Sequence, residues 1–140
     1  MTPPAGYSGT PLPRKLGIGQ DDEVAVIGAP EGFVDRLADQ LQGVAVLHTD
    51  LVDDALFDVI LVFETRRAEL AADLDRFRAQ MAPACGLWIA WPKRASGVTT
   101  DMSDQVIRQI ALPTGLVDNK VCAIDEIWSG LRLVTRLENR

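Results

Sequence analysis

The sequence predicts an α/β protein, a doubly wound and mostly parallel sheet that ends in a C-terminal antiparallel hairpin. Three observations carry this. The run Val59-Ile60-Leu61-Val62-Phe63 is short, β-branched-rich and uncharged, the pattern of a strand covered on both faces. Leu70, Leu74, Phe77 and Met81 then recur at spacings of four, three and four, which is one stripe of an α-helix. Leu87-Trp88-Ile89-Ala90-Trp91 reads as a second buried strand, entered after Pro83 and Gly86 have ended the helix and stopped by Pro92. Strand, helix and strand over residues 57–93 make a βαβ crossover, right-handed in nearly all known cases.

The other elements follow in order. Residues 1–13 hold four prolines and two glycines and are expected to form a flexible leader, with a single α/β domain over residues 14–140. Leu12, Leu16 and Ile18 bracket Arg14 and Lys15 in one helical turn at a mouth of the sheet. Val24-Ala25-Val26-Ile27 is the first strand, and Gly28-Ala29-Pro30-Glu31-Gly32-Phe33 turns sharply into a helix with Pro30 suited to its first position. Val34, Leu37, Ala38 and Leu41 keep helical spacing until Gly43; residues 44–47 form the second strand, closing in His48-Thr49-Asp50. Thr65 is the expected N-cap of the central helix. Asp101 or Ser103 caps a later one that carries Val106, Ile107, Ile110 and Ala111. Residues 120–124 and 131–137 form the closing hairpin, with Trp128-Ser129-Gly130 as its turn.

Composition removes several classes of function. A net charge of −6 argues against nucleic acid as a partner, because phosphate binding needs a basic face. Hydrophobic residues make up 47% of the 140, enough for one core without metal or disulfide support. Cys85 and Cys122 stand in no metal-ligand spacing and read as buried free thiols. No apolar stretch approaches the roughly 20 residues of a membrane helix, and MTPPAGYSGTPLPRK lacks a secretory apolar region, so no membrane and a cytoplasmic location are expected.

This order of elements resembles the Rossmann-like S-adenosylmethionine methyltransferases. The shared features are a Gly turn after the first strand, an acidic residue after the second, a central strand opening with Phe57-Asp58, and the segment Met81-Ala82-Pro83-Ala84-Cys85-Gly86-Leu87-Trp88-Ile89. A final antiparallel hairpin completes the likeness, over about residues 23–137. Two features depart from it: Gly28-Ala29-Pro30-Glu31-Gly32 replaces a GxGxG turn, and no strand is expected between Asp50 and Phe57. In wording, PLPRKLGI, GAPEGF, GLWIAWPK, GLVDNKVCAID and WSGL are similar to a bacterial, largely actinobacterial, family of unknown function. That second resemblance implies a cytoplasmic bacterial protein and supplies no site residue.

Ligands of open α/β sheets bind outside the carboxyl ends of the strands, where strand order reverses. This rule selects residues 28–33, 48–50, 64–67 and 92–94. Gly28, Pro30 and Gly32 shape a turn that can offer backbone N–H groups to an anion, with Lys93 and Arg94 as opposing cations. Glu31 in the first helical turn would compete for the same positive end. Asp50, 22 positions after Gly28, suits a ribose hydroxyl or is simply a solvated acid beside Asp53 and Asp54. His48 is the only histidine and has no motif-placed nucleophile. Trp88 and Trp91, three apart on one strand, should fill the core on opposite faces, whereas Trp128 is the candidate partner surface. With no catalytic or metal-binding constellation, the expected function is a non-catalytic module without cofactor that binds a protein partner or a small anionic ligand. The alternative is a truncated S-adenosylmethionine-dependent methyltransferase with S-adenosylmethionine as cofactor. A homodimer through the terminal hairpin is compatible with both.

Overall fold

In the computed structural model, residues 10–140 are described; most of the expected leader, residues 1–9, lies outside them. The chain runs α1 (Leu12–Leu16), β1 (Glu23–Ile27), α2 (Phe33–Leu41), β2 (Val46–His48), β3 (Phe57–Phe63), α3 (Arg67–Ala79), β4 (Met81–Pro92), α4 (Asp104–Ala111), β5 (Leu116–Ala123) and β6 (Trp128–Thr135). Six strands form one sheet in the order β2-β1-β3-β4-β6-β5. The neighbours among β1 to β4 pair in parallel, and β6 is antiparallel to both β4 and β5. The α/β class and the closing hairpin are as expected, with one refinement. The antiparallel strand β6 is not at the edge; the edge belongs to β5, which runs parallel to β4.

Alternation along the central strands divides the core into two layers. Ile60 and Val62 of β3, with Leu87 and Ile89 of β4, meet Leu70, Leu74 and Phe77 of α3 and Ile107 and Ala111 of α4. Val59, Leu61 and Phe63 of β3, with Trp88 of β4, meet Leu12 and Leu16 of α1 and Phe33, Leu37 and Leu41 of α2. Trp88 and Trp91 do lie on opposite faces, against different layers. The buried Trp88 indole donates from Nε1 to the Leu16 carbonyl oxygen at 3.1 Å, satisfying its polar atom and fastening α1 to the sheet. Leu12, assigned by sequence to the leader, is buried in α1.

Several local expectations are corrected. Pro30 does not open α2: Phe33 N–H donates to the Pro30 carbonyl in a turn, and Gly32, at φ +82°, is the N-cap. Glu31 therefore precedes the helix, and the acid in its first turn is Asp35. The N-cap of α3 is Arg66 instead of Thr65. Met81 is not on α3, which stops at Ala79, but opens β4. Phe57 pairs with Met81 and Val59 with Gly86, so residues 82–85 are an insertion opposite a single β3 residue, and Pro83 breaks no ladder there. The hairpin turn lies before Trp128, where the Asp125 carboxylate accepts the N–H groups of Ile127 and Trp128 at 2.8 Å each. Among the described residues, no helix is long and apolar enough to cross a membrane.

Candidate ligand-binding rim

Strand order reverses between β1 and β3, since the chain passes outward from β1 to β2 and returns on the other side as β3. The carboxyl ends of β1 and β3 are in register, Ile27 beside Val62, so Gly28 and Glu64 flank the switch point. Gly28 has φ +70°, and a Cβ there would stand 3.0 Å from the Phe63 carbonyl oxygen. Only glycine turns the chain here without strain. Phe63 in turn is held edge-on between Phe33 at 4.8 Å and Trp128 at 5.0 Å between ring centroids. Trp128 is thus half-buried, packed against the core layer under α2 through Phe63.

Glu64 was only one of a span of rim residues in the sequence; the structure gives it a specific place. Its Oε1 accepts the N–H groups of Thr65 and Arg66, each at 2.9 Å, while Arg66 also reaches Glu69 at 2.9 Å. The first N–H of α3, that of Arg67, donates to Asp101 Oδ1 at 2.7 Å, and Thr100 Oγ1 donates to the Thr65 carbonyl oxygen at 2.6 Å. The β3–α3 junction is thereby locked to the loop before α4. This fixes the path of the chain as it leaves the carboxyl end of β3.

The other candidates separate. Asp50 lies two residues past His48, whose strand partner is Ala25, and so reaches toward the level of Ile27; its Oδ1 accepts the Leu51 N–H at 2.8 Å. His48, counted on the rim by its position, turns away from it. Its Nε2 meets Glu23 Oε2 at 2.7 Å and its ring meets Phe57 at 5.3 Å, at the opposite ends of β1 and β3. Lys93 and Arg94 follow β4, with β3 between them and β1, so they stand about 10 Å across the sheet from the Gly28 turn at ordinary strand spacing. Arg94 lines a cavity of about 270 Å³ with Trp91, Thr100, Met102 and Ser103, beside the N-terminus of α4. The turn of Gly28, Pro30 and Gly32 and the Lys93–Arg94 pair are not gathered into one anion site.

An acidic residue follows each of the strands on this side: Glu31 in the turn after β1, Asp50 after β2 and Glu64 after β3. Such a set suits a ligand with hydroxyl or cationic groups better than one bearing phosphate. The positive φ of Gly28 and Gly32 shapes the turn, and the space a Cβ would take there is filled by the Phe63 carbonyl oxygen at 3.0 Å and by Arg36 Nη1 at 2.9 Å.

No family model matches the chain, and no curated protein matches it in sequence, so the resemblance to the actinobacterial family has no support. Solved structures do match its fold. The O-methyltransferase of neocarzinostatin biosynthesis, in complex with S-adenosylmethionine and 2-hydroxy-5-methyl naphthoic acid, is 13% identical with a TM-score of 0.62, over 94% of this chain and 51% of that one. DhpI with S-adenosylhomocysteine is 8% identical with a TM-score of 0.60, over 89% and 82%. Magnesium protoporphyrin IX methyltransferase from Synechocystis PCC 6803, with S-adenosylmethionine bound, is 10% identical with a TM-score of 0.58, over 89% and 74%. The expectation of a chain without cofactor is corrected by these findings, since proteins of this fold were solved with S-adenosylmethionine or S-adenosylhomocysteine bound. The fold of this chain is the Rossmann-like fold of these methyltransferases.

Proposed function

We propose that the chain is a small S-adenosylmethionine-binding protein of the methyltransferase type, with its cofactor at the switch point between β1 and β3. The observation that carries this reading is the acidic rim beside the Gly28 turn. S-Adenosylmethionine carries a sulfonium, an ammonium and a ribose diol, and each of these is complemented by carboxylates. Asp50 is suited to the ribose hydroxyls and Glu64 to the amino end, with the left-handed Gly28 and Gly32 shaping the turn beside them. When bound, the group supplies an electrophilic methyl. The protein's part is to hold and orient it against the wall formed by Glu64, Thr65 and Thr100.

The fold neighbours support this reading over the expected non-catalytic module. Calorimetric titration with S-adenosylmethionine and S-adenosylhomocysteine tests it. Micromolar binding by the wild type, weakened at least tenfold by Asp50→Ala, is the expected result. Absence of heat with both compounds, at protein concentrations near 0.1 mM or about a hundred times a 1 μM Kd, would return the module reading to first place.

A further inference from the structure

At the end of β1, β2 and β3 away from the rim, apolar surface lies open beside an unpaired strand edge. β2 is an outer strand, joined among the described residues to β1 alone. Val46 N–H donates to the Asp22 carbonyl oxygen at 2.9 Å, so Leu47, one step on in the alternation, turns its own N–H and C=O to the open side. Val46 stands opposite Glu23 and on the same face of the sheet as His48. On that face a cavity of about 170 Å³ is lined by Glu23, His48, Val52, Ala55, Leu56 and Phe57. Val46, Val52 and Leu56 are exposed to 50%, 49% and 56%, which leaves an apolar patch at a strand edge that the chain's own core does not use.

The charge of this surface has one sign. Glu23 lines the cavity, Asp22 precedes it, and Asp53 and Asp54 stand between Val52 and Ala55. None of these four pairs with a lysine or arginine among the described residues, and residues 37–65 contain neither. A second copy of the chain would set like charges against one another across the interface, which disfavours it as the occupant. We propose that the β2 edge docks a short extended segment of a partner protein that carries apolar residues flanked by lysine or arginine. The segment pairs with Leu47 through its backbone and covers Val46, Val52 and Leu56, while its cations meet the carboxylates. A ladder as short as β2 holds little by itself, so the apolar contact supplies the affinity and the charges select the partner.

The probe is a synthetic peptide with a Val-Thr-Val centre between pairs of lysines, compared with the same peptide carrying glutamates in their place. Both are titrated into the full chain at constant ionic strength and followed by amide NMR. Saturable shifts at residues 45–49 and 52–56 are expected with the lysine peptide and none with the glutamate peptide. Val46→Lys, at an exposed position, should weaken binding about tenfold while the rest of the spectrum stays unchanged. Asp53→Asn with Asp54→Asn should weaken it too, and asparagine suits the left-handed backbone of Asp54, at φ +65°. Asp35→Asn with Asp39→Asn removes the same charge from α2, on the other face of the sheet, and should leave the affinity unchanged. An absence of shifts at β2, equal binding of the two peptides, or equal weakening by the two aspartate pairs would overturn the proposal. Shifts at β2 that depend on protein concentration without peptide would overturn it in favour of a second copy.

Discussion

The carbonyl oxygen of Phe63 stands 3.0 Å from the position a Cβ would take on Gly28, so the end of the central strand and the turn after β1 touch where strand order reverses. Gly28→Ala adds a methyl against backbone, which cannot swing aside, as well as an unfavourable left-handed conformation. Gly97, at φ +78°, has open space around its missing Cβ and isolates the conformational part. Gly97→Ala should cost about 1 kcal/mol, and Gly28→Ala clearly more, in denaturant unfolding. Equal losses would mean that the approach to Phe63 is easily relaxed.

Phe77 is buried between α3 and the sheet, with Phe57, Ile60 and Val62 in the same layer. Phe77→Ala should therefore cost about 3–5 kcal/mol, a large share of the stability of a domain of this size. A denaturation midpoint close to wild type would contradict the packing.

Burial at the end of the sheet insertion pushes the Cys85 thiol up to about 12, with Asp58 adding in the same direction. The folded state thus holds the proton that an unfolded thiol, at its ordinary 9.0, would release. The stability this contributes is complete below pH 9 and is lost as pH rises from 9 toward 12, by up to about 1.4 kcal/mol per unit. Unfolding free energies of wild type and Cys85→Ala, compared at about pH 8.5, 9.5 and 10.5, should show a steeper alkaline decline in the wild type. Parallel curves would refute the shift. The same thiol should resist alkylation in the native protein.

How much of this was legible in the sequence depended on whether the cause was local. The Val59 to Phe63 run and the opposite faces of Trp88 and Trp91 followed from short-range pattern alone, and both stand. So does Ser103 as a cap, its Oγ accepting the Val106 N–H at 3.1 Å. Long-range causes were hidden. The start of α3 is set by Asp101, 34 residues away, which no local rule for Thr65 could supply. Pro83 read as a terminator because its tolerance comes from the insertion opposite Asp58, a property of strand pairing. The edge-on contact of Trp128 with Phe63 was hidden likewise, because the two are remote in sequence. At the rim, strand order brought out Glu64 and set Lys93 and Arg94 apart from the Gly28 turn, neither of which spacing reveals.

The central claim is that the switch point between β1 and β3 holds S-adenosylmethionine, and amide NMR of the full chain titrated with S-adenosylhomocysteine tests it most directly. The account predicts saturable shifts concentrated at Gly28, Gly32, Asp50, Glu64 and Thr65. Shifts elsewhere on the molecule, or none in that set at saturating ligand, would contradict it.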